Sequence, residues 1–303
     1  MKSTLYKGLK LLDTNKITCE ICPHHCALTE GMTGICKGRS CKGGKIVCSN
    51  YGMLTSIALD PIEKKPLKHF FPGSKILSVG SYGCNLHCPF CQNSEISMMS
   101  FSDGPNAGKS LESCNEELPC YKFTPEVLVA KAKELEKQDN IGIAYTYNEP
   151  LISYEFVLDC SKLAKANGLK NVLVTNGMIC NEPLQKLLPY IDAFNIDLKG
   201  FNQKTYDLLG GDLKCVKNTI KEAAKVSHVE VTTLVVPGMN DSEEEIDSIA
   251  CWLSGLDSHI PYHLSRFFPR FKMADAQATP VKKIYALAER ARKYLRFVYT
   301  GNC

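Results

Sequence analysis

The chain has 303 residues, of which 44% are hydrophobic and 22% are charged, and its formal net charge is +4. This length suffices for one large domain with an appendage, because a chain of about 300 residues can bury roughly 75% of its unfolded surface. No apolar run approaches the roughly 20 residues of a membrane-spanning helix, so we expect a globular protein with no membrane partner.

Cysteine is the unusual feature of the composition, with sixteen in the chain. The first residues, MKSTLYKGLKLLDTNK, lack an apolar secretory core and a small-residue cleavage site, so we expect a cytoplasmic protein. Thiols stay reduced in that compartment. Metal ligation therefore explains so many cysteines better than disulfide bonds do.

The first element along the chain is a cysteine-rich metal-binding extension, predicted over residues 1–55. Four of its cysteines form a C-x2-C-x3-C-x9-C set: Cys19, Cys22, Cys26 and Cys36. Four thiolates suit a closed structural zinc ion or an auxiliary [4Fe-4S] cluster, with His24 or His25 as substitute ligands, and we favour iron–sulfur slightly over zinc. Two thiolate pairs would also serve disulfide exchange, which is the lesser alternative in the cytosol.

Basic residues are concentrated in the same part of the chain: Lys37, Arg39, Lys42 and Lys45. Contact with nucleic acid or phosphate is one interpretation of such a cluster. The interpretation that we favour is that these cations offset the clustered thiolates and are otherwise solvated. We therefore expect no nucleic-acid partner.

Short apolar runs alternate with helical periodicity from Ile76 onward. Six runs are predicted strands: Ile76–Tyr82, Ile141–Tyr147, Asn171–Thr175, Ala193–Leu198, Val229–Val235 and Tyr262–Arg266. Helix start signals are predicted at Thr124, Asp241 and Thr279. Strands that each return through a helix form a parallel sheet, so the sequence predicts an α/β fold with a partial parallel (β/α)6 barrel over residues 56–303.

Three cysteines, Cys84, Cys88 and Cys91, follow the first predicted strand in the segment GCNLHCPFCQN. The working groups of parallel β/α folds lie on loops at the carboxyl ends of strands. A closed zinc site or an ordinary cubane cluster takes four protein ligands, so three thiols leave one coordination position for another molecule. The alternative is a zinc knuckle, or a cluster completed by a distant cysteine or by His87.

Residues 98–122 are polar and aperiodic, and we expect them to form a loop insertion after the first strand. Its Cys114 and Cys120 are expected to be solvent-exposed spectators. Cys160 and Cys251 fall on apolar helical faces and are predicted core residues. Three further cysteines could complete the N-terminal ligand set: Cys41, Cys48 and Cys303.

Polar side chains follow the next three predicted strands, in the segments YTYNEP, TNG and NIDLKG: Asn148, Glu149, Thr175, Asn176, Asp197 and Lys199. They are placed at the mouth of an apolar barrel, as a small-ligand site requires. Glu149 suits an ammonium group, and Thr175 and Asn176 suit a ribose or amino acid moiety. The alternative is that such residues only cap the helices and turns that follow them.

The sixth predicted strand ends in YHLSRFFP, which contains His263 and Arg266. A substrate carboxylate or phosphate could meet the guanidinium there. A buried, hydrogen-bonded histidine explains His263 equally well. Only the position at the barrel mouth favours a catalytic role for the two residues.

The three-cysteine loop, with Phe90 directly before its last cysteine, resembles the signature of the radical S-adenosylmethionine enzymes. That resemblance implies a [4Fe-4S] cluster whose fourth iron is open to the amino and carboxylate groups of S-adenosylmethionine. Between Ser56 and Tyr299, the segments IAYTYNEP, NVLVTNGM, FNIDLKGF, EVTTLVVPGMNDSEEE and YHLSRFFPRFKM resemble one branch more narrowly. This branch is the AmmeMemoRadiSam-system radical enzymes, relatives of the pyruvate formate-lyase activating enzyme.

The resemblance also implies roles for individual residues. Asp197 would help to hold a monovalent cation, and Lys199 would lie near the cofactor. An electron donor such as flavodoxin or ferredoxin is implied, as are Memo-like and AMMECR-type companion proteins. The implied cofactor-binding residues are Phe90, Asn93, Asn148, Glu149, Thr175, Asn176, Asp197 and Lys199.

Three functions follow from these observations. In the leading one, a reduced cluster cleaves S-adenosylmethionine to methionine and a 5'-deoxyadenosyl radical, which abstracts hydrogen from an unidentified substrate. The first alternative is an activase that abstracts hydrogen from a glycine of a partner protein. The second, from a different class, is a noncatalytic iron–sulfur electron carrier, which gives no reason for the polar groups around an open iron.

Overall fold

The computed structural model describes residues 16–99 and 120–303. Its strands are β1 (Ile17–Thr18), β2 (Ala27–Leu28), β3 (Arg39–Lys42), β4 (Lys45–Cys48), β5 (Met53–Leu54), β6 (Ser56–Pro61), β7 (Lys75–Gly80), β8 (Tyr121–Lys122), β9 (Asn140–Tyr145), β10 (Lys170–Thr175), β11 (Ala193–Asp197), β12 (His228–Val235), β13 (Tyr262–Arg266) and β14 (Val298–Gly301). Its α-helices are α1 (Ser94–Ser97), α2 (Pro125–Glu134), α3 (Tyr154–Ala166), α4 (Asn181–Leu187), α5 (Gln203–Leu209), α6 (Leu213–Ala223), α7 (Glu243–Ser254) and α8 (Val281–Ala291). Short 3-10 helices span Ile62–Lys64, Leu135–Gln138, Pro150–Ser153, Leu188–Tyr190 and Phe271–Met273.

One large sheet has the strand order β14-β13-β12-β11-β10-β9-β7-β6. Every neighbouring pair is parallel except β6 with β7, which is antiparallel. The predicted α/β fold with a parallel sheet is confirmed. The predicted count of six strands is wrong, because β14 adds a seventh parallel strand at one edge and β6 adds an antiparallel strand at the other.

Both added strands are edge strands, which explains why their apolar patterns are weak. An edge strand packs against one neighbour only, so it needs fewer buried side chains than a central strand does. β14 has only four residues, of which Val298 alone is buried, and β6 ends in Asp60 and Pro61. β6 begins at Ser56, which is also the predicted start of the main domain.

Of the three predicted helix start signals, only Thr124 is the observed capping residue. Thr124 caps α2, with its hydroxyl accepting a hydrogen bond from a backbone N–H three residues later. Ser242, and not the predicted Asp241, caps α7. Thr279 does not cap α8, because its buried hydroxyl donates to the carbonyl of Val235 at 2.6 Å. In the described ranges, no helix is long and apolar enough to cross a membrane.

The connection from β6 to β7 closes the floor of the sheet. Its Ile62, Leu67 and Phe70 pack in one apolar cluster with residues from the neighbouring strands: Ile76, Ala144, Val172 and Ala193. Asn195 in the middle of β11 donates to the carbonyl of Pro66 at 2.9 Å. This floor segment thereby packs against β7, β9, β10 and β11.

The cysteine-rich extension is packed against the sheet and contacts the loop after β7. The backbone N–H of Cys84 donates to the carbonyl of Cys36 at 3.1 Å. Arg39 is buried and forms a bidentate ion pair with Glu155 of α3, with both distances at 2.7 Å. The expectation that the basic cluster is solvated is therefore wrong for Arg39, because its charge has a partner inside the protein.

Gly142 lies where β9 packs closely against the neighbouring strand β10. A Cβ at this position would lie 1.9 Å from the carbonyl oxygen of Lys170 in β10. We expect Gly142→Ala to destabilise the protein by about 3 kcal/mol, the upper end of the range for overpacking, as measured by urea denaturation. The matched control is Gly255→Ala at the end of α7, where a Cβ would have no neighbour closer than 3.4 Å and φ is −69°. Equal stabilities of the two variants would contradict the tight β9–β10 contact.

Candidate active site

A cavity of about 640 Å³ lies at the carboxyl-terminal ends of the parallel strands. This volume is typical of a small-ligand site. All but one of the site residues predicted in the main domain line this cavity: Cys84, Cys88, Phe90, Cys91, Asn93, Asn148, Glu149, Thr175, Asn176, Asp197, Lys199 and His263. The parallel register brings these loops together although up to 179 positions separate their residues in the chain, from Cys84 to His263.

The exception is Arg266. Its Nε donates to the carbonyl of Thr279 at 2.7 Å, and its guanidinium lies 4.5 Å from the centre of the Phe268 ring. Arg266 does not line the cavity. The predicted encounter of a substrate anion with this guanidinium is therefore not supported by the structure, because the side chain is turned to the connection that leads to α8.

The three-cysteine loop depends on a glycine at its start. Gly83 has a φ of +85°, and a Cβ there would lie 2.3 Å from the carbonyl oxygen of Cys36. Burial raises the pKa of Cys88 to about 11, while the ammonium of Lys199 acts in the opposite direction. Burial also raises the pKa of Cys84 well above its usual value. These thiols therefore ionise readily only when a cation such as cluster iron is present.

The three thiols of the loop suit an iron–sulfur cluster, because the thiolates of a cubane cluster bind different irons. Two N–H groups, from the Leu86 backbone at 3.4 Å and the Asn176 side chain at 3.7 Å, point to the sulfur of Cys84.

Glu149 is a buried acidic group of the cavity wall and is only 2% exposed. Its Oε1 accepts hydrogen bonds from Leu151 N at 3.0 Å and Thr175 Oγ1 at 2.7 Å, and its Oε2 accepts from Asn176 N at 2.7 Å. Glu149 also caps the 3-10 helix Pro150–Ser153. The capping interpretation is thus correct for Glu149, yet the same carboxylate lines the cavity.

Burial raises the pKa of Glu149 to about 7, although three hydrogen bonds act to lower it. Near neutral pH the group is therefore divided between its acid and carboxylate forms. A cationic ligand in the cavity would favour the carboxylate, because an opposite charge stabilises the ionised form.

The asparagines predicted to bind cofactor use their amides within the protein. Asn148 accepts from Ser81 N at 2.9 Å and donates to the carbonyl of Gly83 at 3.0 Å, which holds both ends of the turn before Cys84. Asn93 donates to the carbonyl of Tyr147 at 2.7 Å. These contacts match the turn-stabilising alternative, although both side chains also line the cavity.

A row of side chains from four adjacent strands also lines the cavity: Asp197, Thr232, His263 and Tyr299. Asp197 and Lys199 form an ion pair at 2.6 Å, and the pKa of Lys199 is raised by Asp197 even though burial acts to lower it. The carboxylate proposed to hold a monovalent cation is therefore already paired with an ammonium group. A metal cation at Asp197 would have to share it with Lys199.

Sequence analysis missed Glu230, which lies beneath this row and is fully buried. Its carboxylate accepts from His263 Nε2 at 2.5 Å, His228 Nε2 at 2.9 Å, and the backbone N–H groups of Lys68 and His69 at 2.8 Å each. Burial raises its pKa, but these donors outweigh burial and lower the pKa to about 2. The signal was present in HVEVTTLVV, since Glu230 is the one acidic residue of β12.

A second missed group lies at the floor of the cavity. Lys65 is buried and pairs with Asp60 at 2.9 Å, and the hydroxyl of Tyr147 also donates to Asp60 at 2.7 Å. Tyr147 has a φ of +72°, a strained conformation for a residue with a side chain. The hydrogen bond to Asp60 and the close packing of the Tyr147 Cβ against Gly80 hold it there.

The remaining predicted cysteines lie away from the cavity. The four N-terminal ones line a separate, small cavity together with His24, whereas His25 pairs with Glu20 at 2.9 Å. Cys160 is buried in the core as predicted, but Cys251 is exposed on α7, so that prediction is wrong. Cys114 lies outside the described residues. The three cysteines that could have completed the N-terminal ligand set do not line the small cavity: Cys41, Cys48 and Cys303.

Comparison with known proteins identifies the family to which this arrangement belongs. The model of the radical SAM superfamily matches residues 78–249, more than half of the chain. The chain therefore belongs to the radical SAM superfamily, and membership implies a [4Fe-4S] cluster and S-adenosylmethionine. The cavity residues fit both, since three thiols and a buried carboxylate face one space.

Three similar proteins show how far the similarity extends along the chain. The chain is 39% identical over 294 residues to an uncharacterized protein of Methanocaldococcus jannaschii, covering 96% of this chain and 83% of that protein. It is 24% identical over 235 residues to the pyruvate formate-lyase-activating enzyme of Clostridium pasteurianum, covering 71% and 87% of the two chains. The crystal structure of Streptococcus suis SuiB shares the fold, with a TM-score of 0.52 and 12% identity over 74% of this chain and 48% of that one.

The pKa of Glu149 leads to a prediction for ligand binding. An ionised carboxylate attracts the ammonium group of S-adenosylmethionine, and protonation removes that attraction. With a pKa of about 7, we expect the affinity of cluster-loaded protein to fall about tenfold between pH 8 and pH 6, measured by equilibrium dialysis. Glu149→Gln should bind more weakly and without this pH dependence. A wild-type affinity that is constant over this range would exclude Glu149 as the ammonium partner.

Glu230 leads to a prediction for acid stability. Because its folded pKa of about 2 lies below the unfolded value of about 4.5, its contribution is complete above pH 4.5 and is lost as the pH falls towards 2. This linkage amounts to about 2 kcal/mol between pH 7 and pH 3. Glu230→Gln should lower stability at pH 7 by roughly 1.5–3 kcal/mol and lose less on acidification, as measured by urea denaturation. The control Glu289→Gln, at an exposed site on α8, should behave like the wild type.

Proposed function

We propose that the protein is a radical SAM enzyme that reductively cleaves S-adenosylmethionine and abstracts hydrogen from a substrate held in the 640 Å³ cavity. The observation that carries this proposal is that Cys84, Cys88 and Cys91 line the same cavity as Glu149 and the row of side chains from β11 to β14. When bound, the cluster and S-adenosylmethionine together supply a 5'-deoxyadenosyl radical. An electron carrier would have no use for such a cavity, and superfamily membership also favours the enzyme.

The chain's own residues would bind, orient and shield the reactants. Glu149 would take the ammonium group, and Thr175, whose hydroxyl donates to Glu149, would hold that carboxylate in place. Lys199 would supply positive charge beside Cys88, where a thiolate is needed. The apolar floor built by Leu67 and its neighbours would keep water away from a reactive intermediate.

The row of side chains from β11 to β14 is the proposed substrate side. His263 faces the cavity while its Nε2 is held by Glu230, so the ring has a fixed orientation. The phenol of Tyr299 lies beside it, with the two rings stacked at 5.4 Å. These groups suit a polar substrate, and they replace Arg266 in the role that sequence analysis assigned to the end of β13.

Within the superfamily, we place the protein in the AmmeMemoRadiSam-system branch, with support from the motif resemblance between Ser56 and Tyr299. Memo-like and AMMECR-type companions, a flavodoxin or ferredoxin as electron donor, and a cytoplasmic location belong to the same proposal. The alternative is a glycyl-radical-enzyme activase. Its support is the similarity to relatives such as the (2S)-3-sulfopropanediol dehydratase activating enzyme of Klebsiella oxytoca, 27% identical over 144 residues, or 46% of this chain and 42% of that one.

The proposed activity is tested by changing the cluster ligands. Anaerobic protein with dithionite and S-adenosylmethionine should release 5'-deoxyadenosine, and alanine at Cys84, Cys88 or Cys91 should abolish the release, because the cluster loses a ligand. Circular dichroism should show that the variants stay folded, since these residues lie on a loop. The matched control is Cys251→Ala on the exposed face of α7, which should keep full activity. Retained cleavage in any of the three loop variants would contradict the assignment.

A size-fractionated cell extract separates the two substrate classes. A substrate that passes a small-pore membrane and raises the yield of 5'-deoxyadenosine would favour the AmmeMemoRadiSam-type proposal. A stimulating component that is retained with the proteins, together with an organic radical on that protein detected by electron paramagnetic resonance, would favour the activase.

A further inference from the structure

The three-cysteine loop is bonded to two other segments through the residues that flank Cys88. The backbone N–H of His87 donates to the carbonyl of Leu209, at the end of α5, at 2.8 Å. The backbone N–H of Lys272 donates to the carbonyl of Pro89 at 3.0 Å. His87 is exposed and Pro89 is partly exposed, so both contacts lie at the molecular surface.

Each of these two segments presents large apolar side chains to solvent. Leu208, next to Leu209, is 67% exposed, and Phe271, next to Lys272, is 39% exposed. Phe268, in the same connection from β13 to α8, is 40% exposed. A single exposed apolar residue needs no explanation, but three in the segments bonded to one ligand loop are typical of an interaction site.

The backbone of Phe271 has an unusual conformation. Its φ is +52°, which is unfavourable for a bulky side chain. Such strain persists where the surrounding structure holds a residue in place, and it is frequent at functional sites. Met273 packs against the core and so anchors the 3-10 helix Phe271–Met273. The anchored turn leaves Phe271 exposed, so core packing gives no reason for an aromatic residue there.

The connection that carries the two aromatic rings is basic. Residues 266–280 contain one acid, Asp275, and three cations: Arg266, Arg270 and Lys272. The guanidinium of Arg266 lies 4.5 Å from the centre of the Phe268 ring, and the ammonium of Lys272 lies 5.5 Å from that of Phe271. The ligand loop, residues 83–93, contains no Lys, Arg, Asp or Glu, so it does not offset this charge. The surface therefore suits a partner with carboxylates around an apolar centre.

We propose that a small acidic electron-transfer protein docks on this surface and reduces the cluster. The docking surface consists of five exposed residues: Leu208, Phe268, Arg270, Phe271 and Lys272. The inference rests on the proposed function, because reductive cleavage of S-adenosylmethionine needs one electron from outside the enzyme. The donor loses that electron and the cluster gains it. A donor seated here contacts residues bonded to the neighbours of Cys88, so the path to a cluster ligand is short.

The position of the docking surface favours an electron donor over a protein substrate. A protein substrate has to reach the cavity, where hydrogen is abstracted. Among the described residues that line the cavity, none belongs to the docking surface. A donor bound there would therefore leave the cavity free for the substrate, and electron entry and substrate entry would use different faces of the ligand loop.

The first test measures binding without turnover. Cluster-loaded protein is titrated with an oxidised flavodoxin of net negative charge in a calorimeter at low ionic strength. The double variant Arg270→Glu, Lys272→Glu should bind at least about tenfold more weakly, because like charges oppose docking. Added salt should reduce the difference, since it screens exposed charges. The matched control is Lys137→Glu, an exposed site before β9, which should bind like the wild type.

The apolar part of the docking surface is tested with Leu208→Gln and Phe271→Asn. Asparagine tolerates the positive φ at position 271, so the backbone turn should persist. Both variants should bind flavodoxin more weakly and keep wild-type stability in urea denaturation. The control Val226→Gln, after α6, removes an apolar side chain that is 66% exposed and should change neither property.

The second test measures reduction of the cluster, followed by its visible absorbance. Reduced flavodoxin should reduce the cluster of Arg270→Glu, Lys272→Glu at least about tenfold more slowly than that of the wild type, since electrostatic steering is lost. Dithionite needs no docking surface, so it should reduce both proteins to the same extent. Release of 5'-deoxyadenosine with dithionite should also be equal in the two proteins.

Four results would overturn the proposal. The first is equal binding and equal reduction by flavodoxin in the wild type and the double variant. The second is a wild-type protein that neither binds flavodoxin nor accepts its electron. The third is a double variant whose cluster also fails with dithionite, and the fourth is one that keeps reduction by flavodoxin but loses modification of a protein substrate. If flavodoxin docks and reduces the cluster but no 5'-deoxyadenosine appears, the proposed function fails while the docking surface stands.

Discussion

The carboxylate of Glu149 joins the loops that leave two neighbouring strands. It accepts hydrogen bonds from its own loop after β9 and from Thr175 and Asn176 after β10. Asn176 in turn donates to Asn85 at 2.8 Å, within the three-cysteine loop after β7. Three strand ends are thus held by one buried acidic group, and the shape of the cavity between them depends on its hydrogen bonds. A buried carboxylate is costly unless its oxygens are satisfied, which they are here, and a cationic ligand would complete its charge balance.

A second buried carboxylate, that of Glu230, also has its oxygens satisfied by hydrogen bonds, in the lower part of the cavity. Glu230 accepts hydrogen bonds from two imidazoles and two backbone N–H groups, and these bonds attach the floor segment to β12. The floor also contacts the far edge of the sheet, where His69 and the hydroxyl of Tyr299 lie 2.6 Å apart. Because the sheet has two free edges, this segment does what a closing strand would do in a full barrel. It gives the cavity a bottom without closing the sheet.

The N-terminal extension forms the outer support of the three-cysteine loop. Gly83 and Cys84 lie directly against the carbonyl of Cys36, and Asn85 connects to His24 on the other side. A rigid first shell needs such support, since a loop alone positions ligands poorly. The extension is thus part of the site's architecture.

The sequence by itself determined the order of six of the seven parallel strands and twelve of the residues that line the cavity. Strands such as Asn171–Thr175 are runs of apolar residues long enough to be recognised locally, and the polar groups after them stand out by contrast. The position of a polar residue directly after a predicted strand was sufficient to bring Cys84, Glu149 and Asp197 to one edge of the sheet, because all carboxyl ends of a parallel sheet meet there.

Only the tertiary structure decided which polar groups find partners. Arg266 follows a strand as the other site residues do, but its guanidinium is turned to Thr279, and Glu230 reaches His263 only because the strands are in register. Edge strands β6 and β14 were also missed, since their stability comes from pairing with a neighbour more than from their own side chains. Contacts between residues far apart in the chain carry no local signal, and the contact of Cys36 with Cys84 is of this kind.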